Sequence, residues 1–262
     1  MILDKIVEHT KIRLEALKAA KPLDEVKAAA RMFKTSTPYA FENALKTNDI
    51  AFICELKKAS PSKGIIAEHF PYIQIAEEYE KAGASAISVL TEPDFFMGCN
   101  EYLTEIKKTV KIPVLRKDFI IDPYQIYEAS LIGADAVLLI CSLLDTAHLK
   151  AYIKIADSLG LSCLVEAHDE REIYSALDAG ARVIGVNNRN LKTFEVDINT
   201  SANLRRLVPK NKTFVSESGI KTREDISILR QNGTNAVLIG ETLMRSENIS
   251  AEMAGLRVKV KT

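Results

Sequence analysis

The sequence has no excess of either charge, and this limits the partners that it can attract. Its 262 residues include 35 Lys and Arg residues and 35 Asp and Glu residues, so the formal net charge is zero. Nucleic acids and anionic membrane surfaces attract proteins that carry a surplus of positive charge. We therefore expect neither as a partner, and any anion that this protein binds must be held by local groups.

Signals for secretion or for a membrane are also missing. The four cysteines show no C-x-x-C spacing, so nothing indicates disulfides or a cysteine metal site. The first residues carry charge at Asp4, Lys5 and Glu8, where a signal peptide would need an apolar stretch. The longest strongly apolar run, 136–144, reaches about half of a membrane span. We expect a cytoplasmic protein.

Metal and dinucleotide motifs are absent as well. No Gly-x-Gly-x-x-Gly follows the first predicted strand, as it would in a dinucleotide-binding open sheet. The histidines, His9, His69, His148 and His168, lie mostly on predicted helices or helix starts, and their spacing indicates no metal pair. We expect no bound metal, and surface or capping roles for the histidines.

The sequence does contain a repeated pattern of short apolar runs. Each run is apolar at nearly every position and alternates with amphipathic stretches long enough for two or three helical turns. Such runs predict strands that are buried on both faces, which is typical of a parallel sheet covered by helices. The eight runs are 50–57, 86–91, 113–117, 136–140, 162–166, 183–187, 213–217 and 236–240.

A glycine repeat supports this strand count. Gly83, Gly133, Gly180 and Gly233 each stand between a predicted helix and the next strand, at intervals of about 50 residues. Eight parallel strands favour a closed (β/α)₈ TIM barrel, with a doubly wound open sheet as the alternative. We expect one domain over 1–262, of which 1–47 form an N-terminal helical extension. That extension is predicted as two helices across one end of the barrel, with Asp24 capping the second.

Charged and amide side chains end several of the predicted strands, where such barrels carry their catalytic groups. Residues two apart on a strand share a face, so the side chains expected in the barrel mouth are Glu55, Lys57, Lys117, Glu166, Asn187 and Glu217. Two lysines and three glutamates in one partly desolvated site perturb one another's pKa values, as proton-transfer chemistry requires. An ion-pair network that closes the barrel end is the alternative.

Glycines after the last two strands indicate a phosphate site. Ser218-Gly219 follows the seventh strand, and Gly240-Glu241 follows the eighth. Backbone N–H groups at such glycines, together with the helices that begin there, attract an anion. We expect Ser60 to add a hydroxyl, and Glu241 to contribute only its N–H while its side chain points away. Simple turns are the alternative for each glycine alone.

Aromatic residues follow the second and third strands. Phe95 and Phe96 lie in the loop after the second strand, and Phe119 follows Lys117. They predict either an aromatic wall for a flat substrate or ordinary core packing.

Taken together, these motifs resemble one family, the indole-3-glycerol phosphate synthases of tryptophan biosynthesis. The resemblance extends from the first strand to the last and includes the N-terminal extension. The stretches that carry it are ELKKASPSKG (55–64), LTEP (90–93) with FMG (96–98), PVLRKDFI (113–120), LVEA (164–167), IGVNNRNL (184–191) and VSESGI (215–220).

The resemblance implies a ring closure without a cofactor. In that reaction 1-(2-carboxyphenylamino)-1-deoxyribulose 5-phosphate loses carbon dioxide and water and becomes indole-3-glycerol phosphate. Lys117 is implied as the acid that protonates the sugar ketone oxygen. Lys57, paired with Glu55, and Glu166 are implied as a second acid and a base, and which acts in which step stays open.

The resemblance also implies the binding residues. Glu217 and Asn187 would orient the sugar hydroxyls, with Arg189 and Ser218 lining the same mouth. The phosphate would be held by Ser60, Gly219, Gly240 and the N–H of Glu241, and the anthranilate ring by Phe96 and Phe119.

Two other interpretations stay open. A phosphosugar isomerase of the same barrel type, such as one acting on phosphoribosylanthranilate, would leave the second lysine and the extra glutamates unexplained. A non-catalytic subunit would gain nothing from burying so many titratable groups. We expect a small phosphosugar-anthranilate substrate and a monomer, with assembly with other enzymes of tryptophan biosynthesis left open.

Overall fold

The computed structural model describes residues 2–33, 35, 37–190 and 193–257. Leu191, which belongs to the IGVNNRNL stretch, lies outside the described residues.

Within these residues, eight parallel strands close into a barrel. β1 pairs with β2 on one side and with β8 on the other, through Ile53 opposite Ala86 and Ala51 opposite Ala236. This closure confirms the TIM barrel and excludes the open sheet. The strands are β1 Ala51–Leu56, β2 Ala86–Leu90, β3 Val114–Lys117, β4 Ala136–Ile140, β5 Ser162–Ala167, β6 Val183–Asn187, β7 Thr213–Glu217 and β8 Ala236–Ile239.

The strands are buried on both faces because their alternate side chains enter two different layers. Ile53, Leu115 and Leu164 belong to the cluster that fills the barrel interior. Phe52 and Cys54 belong to the cluster between the barrel and its helices. The uniformly apolar runs thus follow from the need to fill both layers.

Twelve helices surround or precede the barrel in the described part of the chain, and none of them is long and apolar enough to cross a membrane. They are α1 Ile2–Ala20, α2 Leu23–Met32, α3 Ala40–Ala44, α4 Tyr72–Lys81, α5 Asn100–Thr109, α6 Pro123–Leu131, α7 Thr146–Ser158, α8 Glu170–Asp178, α9 Asn199–Arg205, α10 Arg223–Gln231, α11 Glu241–Met244 and α12 Ile249–Leu256.

The glycine repeat ends four of these helices in the same way. Gly83 has φ +85°, and the N–H of Ala84 donates to the carbonyl of Tyr79 at 2.9 Å. This is a Schellman turn, which needs a residue with positive φ and leads the chain directly into the next strand. The same conformation occurs at Gly133, Gly180 and Gly233.

The extension differs from its prediction in two details. It contains three helices, α1 to α3, where two were predicted. The expectation that Asp24 caps the second helix is wrong, because α2 begins at Leu23 after Pro22. Asp24 lies in the first turn instead, where its carboxylate faces the positive end of the helix dipole.

The extension reaches both ends of the barrel. At the carboxyl end of the strands, Arg13 of α1 pairs with Glu92 at 3.1 Å. At the opposite end, Phe41 of α3 joins the interior cluster, and the N–H of Glu42 donates to Ser162 Oγ at 3.2 Å. Between these ends, α2 packs against α6. The extension therefore forms one closed end of the barrel and also borders its mouth.

Candidate active site

A cavity of about 1010 Å³ opens at the carboxyl ends of the barrel strands. The structure brings the side chains selected from the sequence as catalytic or binding groups to this one cavity, apart from Phe95. Its lining includes Glu55, Lys57, Ser60, Phe96, Lys117, Phe119, Glu166, Asn187, Arg189, Glu217, Ser218, Gly219, Gly240 and Glu241. Among the described residues, no group of three His, Cys, Asp or Glu side chains is arranged to hold a metal ion.

Glu55 and Lys57 lie at the carboxyl end of β1 and form an ion pair. Their side chains follow Ile53 on the inner face of the strand, because residues two apart share a face. The ammonium Nζ of Lys57 lies 2.5 Å from Glu55 Oε1. Gly240 of the neighbouring strand end leaves room for this carboxylate, since a Cβ there would lie 2.6 Å from Glu55 Oε1.

Lys117 lies between two carboxylates at the centre of the mouth. Its Nζ is 3.6 Å from Glu166 Oε2 and 4.0 Å from Glu217 Oε2. Burial alone would lower the pKa of Lys117, but Glu166, Glu217 and Glu55 raise it above its ordinary value. The side chain is therefore a charged ammonium that is largely shielded from water.

The pKa values of the two carboxyl groups beside Lys117 are shifted in opposite directions. Burial opposes the ionisation of Glu166, but Lys117, His168 and Asn187 lower its pKa to about 2. Burial and the neighbouring Glu166 raise the pKa of Glu217 to about 8. At neutral pH the pair thus contains one carboxylate and one carboxylic acid, which is the division of roles that acid–base catalysis uses.

Two buried oxygens of this pair have no hydrogen-bond partner. They are Glu166 Oε2 and Glu217 Oε1. Buried polar atoms without partners are rare in folded proteins and cost free energy. Both residues line the cavity, but these two oxygens are themselves buried, Glu166 Oε2 facing the Lys117 ammonium and Glu217 Oε1 facing Gly185.

The loop after β7 forms a turn suited to an anion. Ser218 and Gly219 have φ +68° and +81°. The amide of Asn188 donates to the carbonyl of Ser218 at 2.9 Å and so fixes this turn. A side chain at Gly219 would collide with Val196, because a Cβ would lie 2.4 Å from Cγ1.

One helix begins at the site and another does not. α11 starts directly after Gly240, as predicted. The expectation that a helix begins at Gly219 is wrong, because α10 starts at Arg223. The side chain of Thr222 accepts a hydrogen bond from the first turn of α10, so this end is capped within the chain.

Two cations near the expected phosphate site were missed by sequence reasoning. Lys63 Nζ lies 3.6 Å from Glu241 Oε1, and Arg245 Nε lies 3.3 Å from the same oxygen. Lys63, Arg245 and Glu241 all line the cavity. The carboxylate of Glu241 is therefore balanced by two cations. The sequence signals only one of them, Arg245, which follows Glu241 by four residues.

Aromatic and aliphatic side chains line another part of the mouth. The rings of Phe96 and Phe119 lie 5.8 Å apart between centroids. Phe95 instead packs edge-on against the ring of His9. Ile2, Leu3 and Ile6 of α1 also line the cavity. Their position over the mouth was not predicted from the sequence.

Arg189 is held by its own loop. Its Nη1 donates to the carbonyl of Phe194 at 3.2 Å, and its backbone N–H donates to Asn187 Oδ1 at 3.0 Å. The second contact leaves the amide nitrogen of Asn187 directed at Glu166.

His168 contradicts its prediction. A surface or capping role was expected, but its Nε2 lies 3.3 Å from Glu166 Oε1 and the side chain is 18% exposed. The signal was the spacing: His168 is two residues after Glu166, and continuation of β5 to Ala167 keeps it on the same side of the chain.

Solved structures at low identity share this fold. A crystal structure of 3-hexulose-6-phosphate synthase aligns with a TM-score of 0.64 at 15% identity, over 79% of this chain and 98% of that one. The crystal structure of KGPDC from Streptococcus mutans aligns with a TM-score of 0.61 at 13% identity, over 80% of this chain and 96% of that one. These similarities establish the barrel and not the activity.

Closer relatives identify the family. The family model of indole-3-glycerol phosphate synthase matches residues 3–256. The indole-3-glycerol phosphate synthase of Ruminiclostridium cellulolyticum is 66% identical over 257 residues, 98% of this chain and 99% of that one. The enzyme of the same name from Endomicrobium trichonymphae is 60% identical, over 98% and 100%. The chain therefore belongs to the indole-3-glycerol phosphate synthase family.

Proposed function

We propose that the side chains of this barrel mouth close the indole ring of indole-3-glycerol phosphate. The substrate, 1-(2-carboxyphenylamino)-1-deoxyribulose 5-phosphate, loses carbon dioxide and water in the reaction. Family membership assigns this carboxy-lyase activity of tryptophan biosynthesis to the chain. The assignment of roles rests above all on the Lys117 ammonium, which lies 3.6 Å from Glu166 and 4.0 Å from Glu217.

Lys117 acts first, as a general acid. The aromatic carbon that bears the carboxylate attacks the ketone carbon of the sugar, and negative charge develops on the ketone oxygen. The buried ammonium stabilises that charge and donates a proton to it. The raised pKa of Lys117 keeps the ammonium protonated until the oxygen becomes basic enough to take the proton.

Loss of carbon dioxide follows ring closure. The electrons of the breaking carbon–carbon bond restore the aromatic ring, so this step needs no further base. The hydroxyl formed in the first step then leaves as water, and a proton leaves the adjacent carbon that is bonded to nitrogen. These two events need an acid and a base at different atoms.

We assign the acid to Lys57 and the base to Glu166. Lys57 is an ammonium in contact with Glu55, 2.5 Å away, and it enters the mouth from β1. Glu166 is the ionised member of the central carboxyl pair, so it can accept a proton at neutral pH. Glu217 already holds a proton there and suits a binding role.

Glu217, Asn187 and Arg189 orient the sugar. Glu217 in its acid form has both a hydrogen-bond donor and an acceptor for hydroxyl groups. Its carboxyl group lines the cavity at the end of β7, with Oε2 4.0 Å from the Lys117 ammonium. Hydrogen bonds to the sugar hydroxyls fix the ketone beside Lys117.

The phosphate binds where β7 and β8 end. Gly219 and the N–H of Glu241 supply backbone donors, with hydroxyl groups from Ser60 and Ser218. Gly240 permits the chain to approach the anion closely. We add Lys63 and Arg245, whose charges balance Glu241 in the free site and attract the phosphate.

Phe96 and Phe119 flank the anthranilate ring. Their centroids are 5.8 Å apart, and both line the cavity with the apolar residues of α1. An apolar slot of this kind holds a flat ring by burial of its surface.

We also propose that the working unit is a cytoplasmic monomer in which the extension and the barrel fold as one domain. Every side chain assigned a role above comes from one chain and lines one cavity.

The experiment is a fluorescence assay of the purified protein with substrate and without added metal or nucleotide. The sequence contains no tryptophan, so indole fluorescence appears against a background of tyrosine alone. We expect indole product to accumulate. No product at micromolar enzyme, or equal activity with phosphoribosylanthranilate, would overturn the proposal.

A further inference from the structure

We propose that His168 is a positioning residue that keeps the carboxylate of Glu166 ionised and correctly oriented for its role as a base. The inference rests on the proposed function, because it concerns how Glu166 performs the deprotonation assigned to it. It begins from the geometry of the ion pair between Glu166, which lines the cavity, and His168, which lies behind it.

The carboxylate of Glu166 lies between two cations, one for each oxygen. Oε1 is 3.3 Å from His168 Nε2, and Oε2 is 3.6 Å from Lys117 Nζ. Lys117 faces the substrate and changes its charge when it donates a proton. His168 therefore holds Glu166 from the side that is remote from the reaction.

The ring of His168 is itself fixed by Glu172. Glu172 Oε2 accepts a hydrogen bond from the backbone N–H of His168 at 2.7 Å and lies 3.0 Å from its ring Nδ1. Glu172 is held in turn, because its own N–H donates to Asp169 Oδ1 at 2.8 Å. The first turn of α8 thus holds the ring with Nε2 at ion-pair distance from Glu166 Oε1, without a hydrogen bond between the two atoms.

Both ring nitrogens lie within ion-pair distance of a carboxylate, Nε2 of Glu166 and Nδ1 of Glu172, and this arrangement favours the charged imidazolium form. Burial would lower the pKa of His168, but Glu166 and Glu172 raise it to about 10. His168 therefore carries a positive charge throughout the neutral range. A buried cation next to Glu166 stabilises its ionised form.

The other charged groups around this pair come from four elements. Lys117 of β3 lowers the pKa of Glu166, whereas the carboxyls of Glu217 on β7 and Glu55 on β1 lie on the cavity side. Asp169 and Glu172 lie on the α8 side, where the thiol of Cys141 stays protonated because burial raises its pKa. The titratable and charged groups around this ion pair are therefore Lys117, Glu217, Glu55, Glu172, Asp169 and Cys141.

Capping of α8 does not require an imidazole ring at position 168. The cap of this helix is the side chain of Asp169, and the backbone N–H of His168 reaches Glu172 whatever side chain stands at that position. His148 offers a matched comparison at the start of α7. Its Nδ1 lies 2.9 Å from Asp145 Oδ1, but its side chain is 59% exposed and lies away from the mouth.

The test compares His168→Gln with His148→Gln and with the parent enzyme. We measure kcat and kcat/KM between pH 2 and 9, because the pKa of Glu166 in the parent is about 2, together with the thermal midpoint. Loss of one cation raises the pKa of Glu166, so the acidic limb of kcat/KM moves upward by about one pH unit in His168→Gln. We expect kcat at neutral pH to fall about tenfold because the carboxylate loses its orientation, KM to stay near the parent value, and His148→Gln to match the parent.

An unchanged acidic limb in folded His168→Gln would overturn the inference. If that variant does not fold, His168→Asn serves instead, since it also keeps the backbone N–H and removes the ring charge, and an unchanged limb there is equally fatal. Glu166→Gln separates this inference from the proposed function. Full turnover of Glu166→Gln refutes the base itself, whereas an inactive Glu166→Gln with a parental His168→Gln profile refutes only the role of His168.

Discussion

Gly185 lies directly against the carboxyl group of Glu217. A Cβ on Gly185 would stand 2.1 Å from Glu217 Oε1, closer than any two such atoms can approach. Both residues occupy inner positions on adjacent strands, where Asn187 pairs with Glu217 in register. Because Gly185 on β6 has no side chain, the carboxyl group of Glu217 on β7 occupies that space.

This contact predicts that Gly185→Ala displaces Glu217 and lowers kcat about tenfold or more. The barrel tolerates the change only if the Glu217 side chain moves. Steady-state kinetics measure the effect, with Gly255→Ala as the control, since a Cβ at Gly255 meets nothing within 4 Å. Parental turnover of Gly185→Ala would show that the position of this carboxyl group is unimportant.

Lys117→Met removes the proposed acid while it keeps a side chain of similar length. We expect kcat to fall by roughly 10²-fold or more, with binding of the substrate largely retained. Lys107→Met is a matched control. Lys107 Nζ lies 2.6 Å from Asp135 Oδ2, and this ion pair is outside the cavity. If both variants lose activity equally, the loss comes from broken ion pairing and not from the missing acid.

The high proton affinity of Glu217 predicts a pH-dependent stability. The carboxyl ionises near its ordinary pKa of 4.5 when unfolded, but burial and Glu166 raise its pKa to about 8 in the fold. Between these values the folded state binds more protons than the unfolded state, so stability falls as pH rises.

Glu217→Gln removes that dependence. Relative to the parent, its free energy of unfolding should increase between pH 5 and pH 8 by on the order of 1 kcal/mol per pH unit. Urea denaturation at a series of pH values measures the difference. A constant difference between the two proteins across this range would mean that Glu217 is ionised in the free enzyme.

Phe41 predicts that the extension and the barrel unfold together. Its ring is fully buried in the interior cluster, so Phe41→Ala should lower the free energy of unfolding by about 3 to 5 kcal/mol. Phe33→Ala is the control, because that ring is 49% exposed. We expect one cooperative transition, and a separate transition for the extension would contradict the single domain.

The fold was largely predictable from local pattern. Uniformly apolar runs mark strands buried on both faces, and the glycine after each of four helices marks a Schellman turn. Capping was less predictable, as Asp24 demonstrates. The predicted cap at Asp24 and the observed cap at Pro22 differ by two residues in register.

Site residues were predictable where the alternation of side chains along one strand is enough to decide which of them point into the barrel. Glu55 and Lys57 share a face because side chains alternate along a strand, and that period is a local property. For His168 the same alternation was visible but did not settle its role. Its backbone pattern indicated the inner side of the chain, but its histidine type and helix-start position favoured a cap.

The sequence by itself therefore determined the eight strands, the direction of their side chains and the chemistry at their ends, since each depends on residues a few positions apart. Only the tertiary structure decided that Lys117 lies between Glu166 and Glu217, that α1 borders the mouth, and that Lys63 balances Glu241. These relations join residues far apart in the chain. Closure of the barrel brings them together, and their distances set the charges on which the chemistry depends.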